Sequence, residues 1–468
     1  MSDIKFGTDG WRAIIAQDFT VANVERVAEA TAKWLSEIDA KPSVVVGYDC
    51  RFGGQLFSEA AAKVLCRHGV KTYIAPSFVS TPMVSLGVMR LKATAGIVIT
   101  ASHNPPSYNG FKLKGGYGGP LLPDMVAEIE ALIPPVSGVE NETVNLEEMT
   151  KKGLLEVVDL ETVYCDHIKS SFDLDAINKS GIRLAYDAMF GAGQNVMRKL
   201  FPSITFLHAE FNPSFMGQAP EPIHKNLLEF SELIKKSGSV ACGFATDGDA
   251  DRIGLYDGKG NFVDSHHIIL LLIHYLCLYK KQKGKVCVAF SVSPRVEKLC
   301  MHYKLPVEVV KIGFKYICEI MLNEDVLLGG EESGGIAIKG HIPERDGIWI
   351  GLTLIEFMAK SGKTLEDLIA EVYKIVGTFA YERSDLHLSP DLKEKILKAC
   401  MEQKYKTFGK YRVTKTENLD GYKYFFENGD WMMIRASGTE PVLRTYAESS
   451  SSRAAFDILS EGKKTLLG

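Results

Sequence analysis

The sequence predicts an α/β protein of three similar domains followed by a fourth domain of α+β type, arranged around a shared cleft. Three observations carry that prediction. Short β-branched runs alternate with helical patterns, in groups of three that occur three times. Each third run ends in an unusual polar cluster. Near the C-terminus the pattern changes to hairpin-like strands and one long amphipathic segment.

The first group is SVVVGYD from Ser43, KTYIAP from Lys71 and GIVITAS from Gly96. The second is IRLAYDAMF from Ile182, ITFLHAE from Ile204 and VACGFATDGD from Val240. The third is KVCVAFS from Lys285, VEVVKIG from Val307 and DVLLGGEES from Asp325. Between them lie amphipathic stretches such as VERVAEATAKWLSEI, with Val24, Val27, Ala28, Trp34 and Ile38 expected on one helical face. Breaks at Pro134–Gly138 and Gly258–Asn261 fit domain joints. YKYFFENGDWMMIR reads as two strands around an Asn428-Gly429 turn, followed by the helix-like SRAAFDILSEGKKTLL.

The 468 residues include 54 Lys plus Arg and 58 Asp plus Glu, a net charge of −4. So small an imbalance gives no reason to expect nucleic acid or an anionic membrane as a partner. The nine cysteines form no CxxC pair and mostly sit among apolar residues, as reduced thiols do. MSDIKFGTDGWR has no signal-peptide core, and the apolar run Ile268–Tyr279 is short for a bilayer span and contains His274. A buried helix and a cytoplasmic protein are the expectations.

Ligands collect outside the carboxyl ends of parallel strands, so the clusters there mark the chemistry. Thr100-Ala101-Ser102-His103-Asn104-Pro105 exposes a serine hydroxyl just past a buried run. A lone serine there also suits a helix cap or turn, and the flanks are not those of a GxSxG elbow. The following NGFKLKGG adds Lys112 and Lys114, amines suited to a negative substrate or to proton transfer. Asp247, Asp249 and Asp251 in DGDADR share one face of an extended segment, and three such hard oxygen ligands suit Mg²⁺. A solvated acidic turn is the alternative. An EF-hand is excluded because Arg252 stands where its glycine must be. Gly329-Gly330-Glu331-Glu332-Ser333-Gly334 can bind sugar hydroxyls, or be a plain glycine turn. His341-Ile-Pro-Glu-Arg345-Asp346-Gly347 is a further polar set. Arg435-Ala436-Ser437-Gly438-Thr439 can cradle a phosphate, or be an arginine salt bridge over a capped turn.

Taken in order, TASHNP, DGDADR, GEESGG and RASGTEP make the chain resemble the alpha-D-phosphohexomutase family from Phe6 nearly to its end. The resemblance implies three similar mixed α/β domains plus a C-terminal α+β domain around a central cleft. Their expected spans are 1–150, 151–258, 259–377 and 378–468. It implies that Ser102 is phosphorylated and completes a Mg²⁺ site with Asp247, Asp249 and Asp251. Glu331 and Ser333 would hold the sugar hydroxyls, and Arg435, Ser437, Gly438 and Thr439 the phosphate that is not reacting. Lys112 and Arg12 would be active-site cations, Lys112 a candidate in proton transfer, while His103 and Arg252 would border the transferred phosphate. The implied reaction interconverts hexose 1-phosphate and hexose 6-phosphate, with hexose 1,6-bisphosphate as intermediate and activator, in a monomer or homodimer.

The Glu331-Glu332-Ser333 loop leans toward phosphoglucomutases. Phosphomannomutase or a bifunctional enzyme is the alternative. Phosphoglucosamine mutase fits less well, because that branch usually shows a different sugar loop. An aspartyl-phosphate phosphatase with Asp247 as nucleophile would leave Ser102 without a task. A non-catalytic sugar-phosphate sensor would not need every motif residue.

Overall fold

A computed structural model describes residues 4–139, 143–436 and 442–468. Each group of three runs forms parallel strands, and each gains an antiparallel strand where the chain doubles back after its polar cluster. In the first sheet Ser43–Tyr48 is flanked in parallel by Lys71–Ile74 and Ala95–Ile99, and Tyr108–Gly115 then returns against Ala95–Ile99. In the second, Leu184–Asp187 lies between Thr205–Leu207 and Cys242–Thr246, and Ile253–Asp257 returns. In the third, Lys285–Ala289 lies between Val307–Val310 and Val326–Gly330, and Ile336–Ile338 returns. The three clusters therefore occupy equivalent hairpin turns at the carboxyl ends of the third parallel strands.

Further edge strands extend the first two sheets. Trp11–Ile14 pairs antiparallel with Tyr108–Gly115, and Leu155–Val157 adds in parallel to Lys71–Ile74. Beyond Pro134–Gly138 the chain thus adds one more strand to the first sheet. Gly258–Asn261 forms a hairpin turn, joining Ile253–Asp257 to Phe262–Val263. There the Asp257 carboxylate accepts the backbone N–H groups of Lys259 and Asn261, at 2.9 and 2.8 Å.

The helix Val21–Ile38 buries Val24, Val27, Ala28 and Trp34, with Leu35 beside them, whereas Ile38 is 54% exposed. Ile38 is the helix's last residue, where the turn clears the sheet. The apolar run forms the buried helix Ser265–His274 and a wider turn through Tyr279, with His274 bonded to Tyr303 at 2.6 Å. All nine cysteines are buried free thiols. No helix among the described residues is long and apolar enough to cross a membrane.

The C-terminal unit is a six-stranded antiparallel sheet, with Tyr422–Phe426 and Trp431–Ala436 paired around the Asn428-Gly429 turn and the helix Ser452–Leu467 packed on it. Its core of Leu386, Tyr424, Met432, Leu443 and Ile458 is separate from the others. By contrast, one continuous core runs from Val45 and Val98 in the first sheet through Tyr186 and Phe244 to Val288 and Leu328 in the third. Burying each such side chain stabilises by roughly 1.5–3 kcal/mol, so the first three units are fused by packing. The fourth meets them through a smaller patch, where Phe290 packs with Trp431, Met433 and Tyr446.

Candidate active site

Strand alternation aims the first set of charges. In Tyr108–Gly115, Phe111 and Leu113 join the core, so Lys112 and Lys114 point the opposite way, and both are fully buried. Arg12, on the neighbouring strand, pairs in register with Gly110. A side chain at Gly110 would meet the Thr100 and Trp11 carbonyl oxygens at 2.5 and 2.7 Å, so only glycine lets these backbones close.

Ser102 lies in the first hairpin turn with φ of 52°, in the left-handed region, and is buried. Its Oγ donates to Asp247 Oδ2 at 2.6 Å, across 145 residues of chain, and lies 3.3 Å from His103 Nδ1. The second turn nests against the first because residue 248 is glycine: a Cβ there would stand 2.6 Å from the Ser102 carbonyl oxygen. The start of the helix Thr81–Leu91 grips the same turn. Thr81 donates its N–H to the Asp249 carbonyl at 3.0 Å and its hydroxyl to Asp249 Oδ2 at 2.5 Å.

Asp247, Asp249 and Asp251 are fully buried, with one oxygen of each within 4.8 Å of the others. Lys112 Nζ donates to the Oδ2 atoms of Asp249 (2.8 Å) and Asp251 (3.1 Å). Their Oδ1 atoms are buried without a hydrogen-bond partner among the described residues. Burial, with the charges of Asp249 and Asp251, pushes the Asp247 carboxyl well above the usual range. Asp249 is held low against its burial by Lys112 and Thr81. Orphaned anionic oxygens beside the Ser102 hydroxyl are what a hard divalent cation satisfies, so these residues fit one.

Of the surrounding cations Lys112, Lys114 and Arg345 are buried, and Arg12 and Arg252 are half-buried. Lys112 also meets Asp9 at 2.8 Å, and its ammonium is held charged against burial by Asp249, Asp251 and Asp9. Arg345 bridges Asp9 at 2.6 Å and Asp251 at 2.8 Å, and Lys114 meets Glu344 at 2.5 Å. Arg12 donates to Asn104 Oδ1 at 2.9 Å, and the Arg252 backbone N–H to Asp247 Oδ1 at 3.0 Å. Burial, then the nearby arginines and Lys112, lower the His103 pKa well below its ordinary value, so its imidazole is neutral.

Glu331, in the third turn, accepts the Gly313 N–H at 3.0 Å. Burial raises its carboxyl to about 7, against the pull of Arg345. Ser333 is half-buried on the same turn. Arg435 lies apart from the Ser102 cluster on Trp431–Ala436, paired to Asp420 at 3.2 Å, and Asp420 in turn accepts the Ile312 N–H at 2.9 Å. Ser437, Gly438 and Thr439 lie outside the described residues.

Sequence reasoning missed Asp9, Asp49, Arg51 and Thr81. Asp9 shares the GTDGWR segment with Arg12, and Arg345 lies in the His341–Gly347 polar set, so adjacency to recognised groups was their only signal.

Four family models match in order: phosphoglucomutase/phosphomannomutase α/β/α domain I over residues 3–137, domain II over 162–260, domain III over 264–376 and the C-terminal domain over 391–461. The chain belongs to the phosphoglucomutase/phosphomannomutase family. It is an enzyme of the phosphohexomutase class, an intramolecular phosphotransferase. A phosphoglucomutase/phosphomannomutase of Thermococcus kodakarensis is 30% identical, over 98% of each chain. A phosphoglucosamine/phosphogalactosamine mutase of Sulfurisphaera tokodaii is 29% identical, over 99% of each. Among solved structures, a Thermus thermophilus protein assigned provisionally to the phosphomannomutases is 33% identical, with a TM-score of 0.86 over the whole of both chains. The Aspergillus fumigatus N-acetylphosphoglucosamine mutase, solved with GlcNAc-6P and magnesium, shares the fold at 16% identity and a TM-score of 0.58, over 98% of this chain and 95% of its own.

Proposed function

We propose that this phosphohexomutase interconverts glucose 1-phosphate and glucose 6-phosphate, with Ser102 carrying the phosphoryl group and glucose 1,6-bisphosphate as the intermediate. The observation that carries the mechanism is the 2.6 Å contact between Ser102 Oγ and Asp247 within a buried cluster of three aspartates and several cations. Phosphoryl transfer asks for positioning and charge neutralisation more than for covalent help from the protein.

Ser102, phosphorylated, gives its phosphoryl group to the free hydroxyl of a hexose monophosphate. The bisphosphate turns over in the cleft and returns its other phosphate to Ser102. On that return the serine loses its proton. His103 Nδ1, 3.3 Å from Oγ, is placed to take it and pass it to the departing sugar oxygen. Lys112, held charged, supports the reading of a group that neutralises the transferring phosphate. Asp247, Asp249 and Asp251, with the phosphoserine, would hold Mg²⁺, which when bound offsets charge on the phosphoryl oxygens. The fungal relative solved with magnesium is consistent with that choice. Arg12 and Arg252 border the transferred phosphate. Glu331 and Ser333 hold the sugar in either orientation, and Arg435 with Ser437, Gly438 and Thr439 anchors the idle phosphate.

The Glu331-Glu332-Ser333 loop favours glucose over mannose phosphate. Glucosamine phosphate is the second reading, because similar relatives include phosphoglucosamine mutases. Comparing kcat/KM for glucose, mannose and glucosamine 1-phosphates on one preparation separates the three. Glucose 1-phosphate is expected to lead, and a lead for either of the others reassigns the substrate. Incubation with glucose 1,6-bisphosphate should add one phosphate mapping to Ser102, and Ser102→Ala should lower turnover by orders of magnitude. A phosphate on Asp247 would overturn the mechanism.

A further inference from the structure

Arg51 does not face the reacting groups; the loop that carries Ser102 is wrapped around it. Its Nη2 donates to the carbonyls of Ser102 and of Asn104 (2.7 Å), and its Nη1 to those of Pro105 (2.9 Å) and Tyr108 (3.1 Å). Arg51 is only 2% exposed, and its guanidinium is backed by the Phe215 ring at 5.1 Å, with Nε 3.3 Å from Asp49 Oδ2. That same oxygen accepts the Thr100 hydroxyl at 2.5 Å, and Thr100 Oγ1 accepts the Ser102 N–H at 2.8 Å. Asp49, Arg51 and Thr100 therefore pin Ser102 on both sides, by its N–H and by its carbonyl.

That grip has a purpose in the geometry. Ser102 sits at φ 52°, a conformation that side-chain-bearing residues hold only when their surroundings impose it. A loop released from it would swing Oγ away from Asp247. The planar fork of arginine presents its donors in fixed directions, whereas a lysine has one mobile ammonium with three donors.

We propose that Arg51, braced by Asp49, is the positioning residue that sets Ser102 for phosphoryl transfer, acting on the transfer step and not on substrate affinity. The proposal rests on the reading of Ser102 as the phosphoryl carrier. A displacement of about 1 Å at a reacting atom costs on the order of 100-fold in rate, which sets the expected effect.

The test is single-turnover phosphorylation of the full-length enzyme by glucose 1,6-bisphosphate with Mg²⁺, followed by intact mass and peptide mapping, alongside steady-state kinetics. Arg51→Lys should slow transfer to Ser102 by roughly 100-fold while KM for the hexose 1-phosphate stays within about threefold. Wild-type transfer in this variant, or KM rising in step with the loss of rate, overturns the proposal. If Arg51→Lys does not fold by near-UV circular dichroism, Asp49→Asn decides. It frees the guanidinium from its brace and should slow transfer about 10-fold at unchanged KM; wild-type transfer there overturns the proposal equally. A wild-type enzyme that never acquires phosphate on Ser102 refutes the underlying reading of the site. A labelled wild type with equally fast variants refutes only the role of Arg51.

Discussion

Replacing Lys112 by methionine tests the charge balance of the site most directly. The side chain is fully buried, and its ammonium meets Asp9, Asp249 and Asp251 at 2.8, 2.8 and 3.1 Å. Methionine fills similar volume, so the change removes charge with little loss of packing. Asp9 and Asp251 keep Arg345, at 2.6 and 2.8 Å, whereas among the described residues Asp249 keeps only the Thr81 hydroxyl. Leaving a buried carboxylate without its partner costs about 3–5 kcal/mol. The fused first three domains span about 370 residues, whose unfolding entropy is about 0.8 kcal/mol/K, so about 3 kcal/mol predicts a fall of roughly 4 °C. Scanning calorimetry without divalent cation reads the transition of the fused domains. A double-mutant cycle identifies the cause: in an Asp249→Asn background the Lys112→Met penalty should shrink to below about 1 kcal/mol. Strictly additive penalties, or a single variant melting within about 1 °C of wild type (roughly the shift of 1 kcal/mol), would refute the electrostatic account.

Three other outcomes follow from the same contacts. Mg²⁺ at about 100 times its dissociation constant should stabilise the folded enzyme by about 2.7 kcal/mol, seen as a thermal shift reversed by chelation and absent in Asp251→Asn; a shift surviving that substitution places the cation elsewhere. Thr81→Val should raise the Mg²⁺ concentration for half-maximal activity about 10–100-fold by freeing Asp249, and an unchanged requirement removes Thr81 from the site. Glu331 titrates at about 7 in the folded enzyme against an ordinary 4.5, so the folded state binds the extra proton between those values. Its contribution to stability therefore declines as pH rises through that window and is flat above it, by an amount on the order of 3 kcal/mol. Glu331→Gln, which still accepts the Gly313 N–H, should gain on wild type from pH 4.5 to 7 and then run parallel to it. Equal pH profiles would show that Glu331 is not the group responsible.

Nine of the ten described strands in parallel pairings were legible because each is a short apolar run ended by a turn; Leu155–Val157 was not read. Nor were the returning strands. Tyr108–Gly115 hides its alternation because Lys112 and Lys114 occupy one face, and lysines at buried positions read as solvent-exposed until their carboxylate partners are known. The aspartate triad and Ser102 stood out because each lies just past a buried strand. Asp9 and Arg345 could not be paired from sequence, since nothing local says that residues so far apart share a charge. Asp49 and Arg51 resemble any turn after a strand. Their importance lies in backbone carbonyls contributed by residues 102–108, and backbone acceptors leave no trace in a sequence.

Asp9 binds its arginine partner across 336 positions of chain. During synthesis the N-terminal segment leaves the ribosome long before Arg345 does, and Lys112 likewise precedes Asp249 by 137 positions. A nascent first domain thus carries Lys112 and Lys114 with Asp9 as their shared counterion, while Asp249, Asp251, Glu344 and Arg345 have not yet been translated. The full set of ion pairs around Lys112 and Lys114 can therefore close only once the third domain has been made.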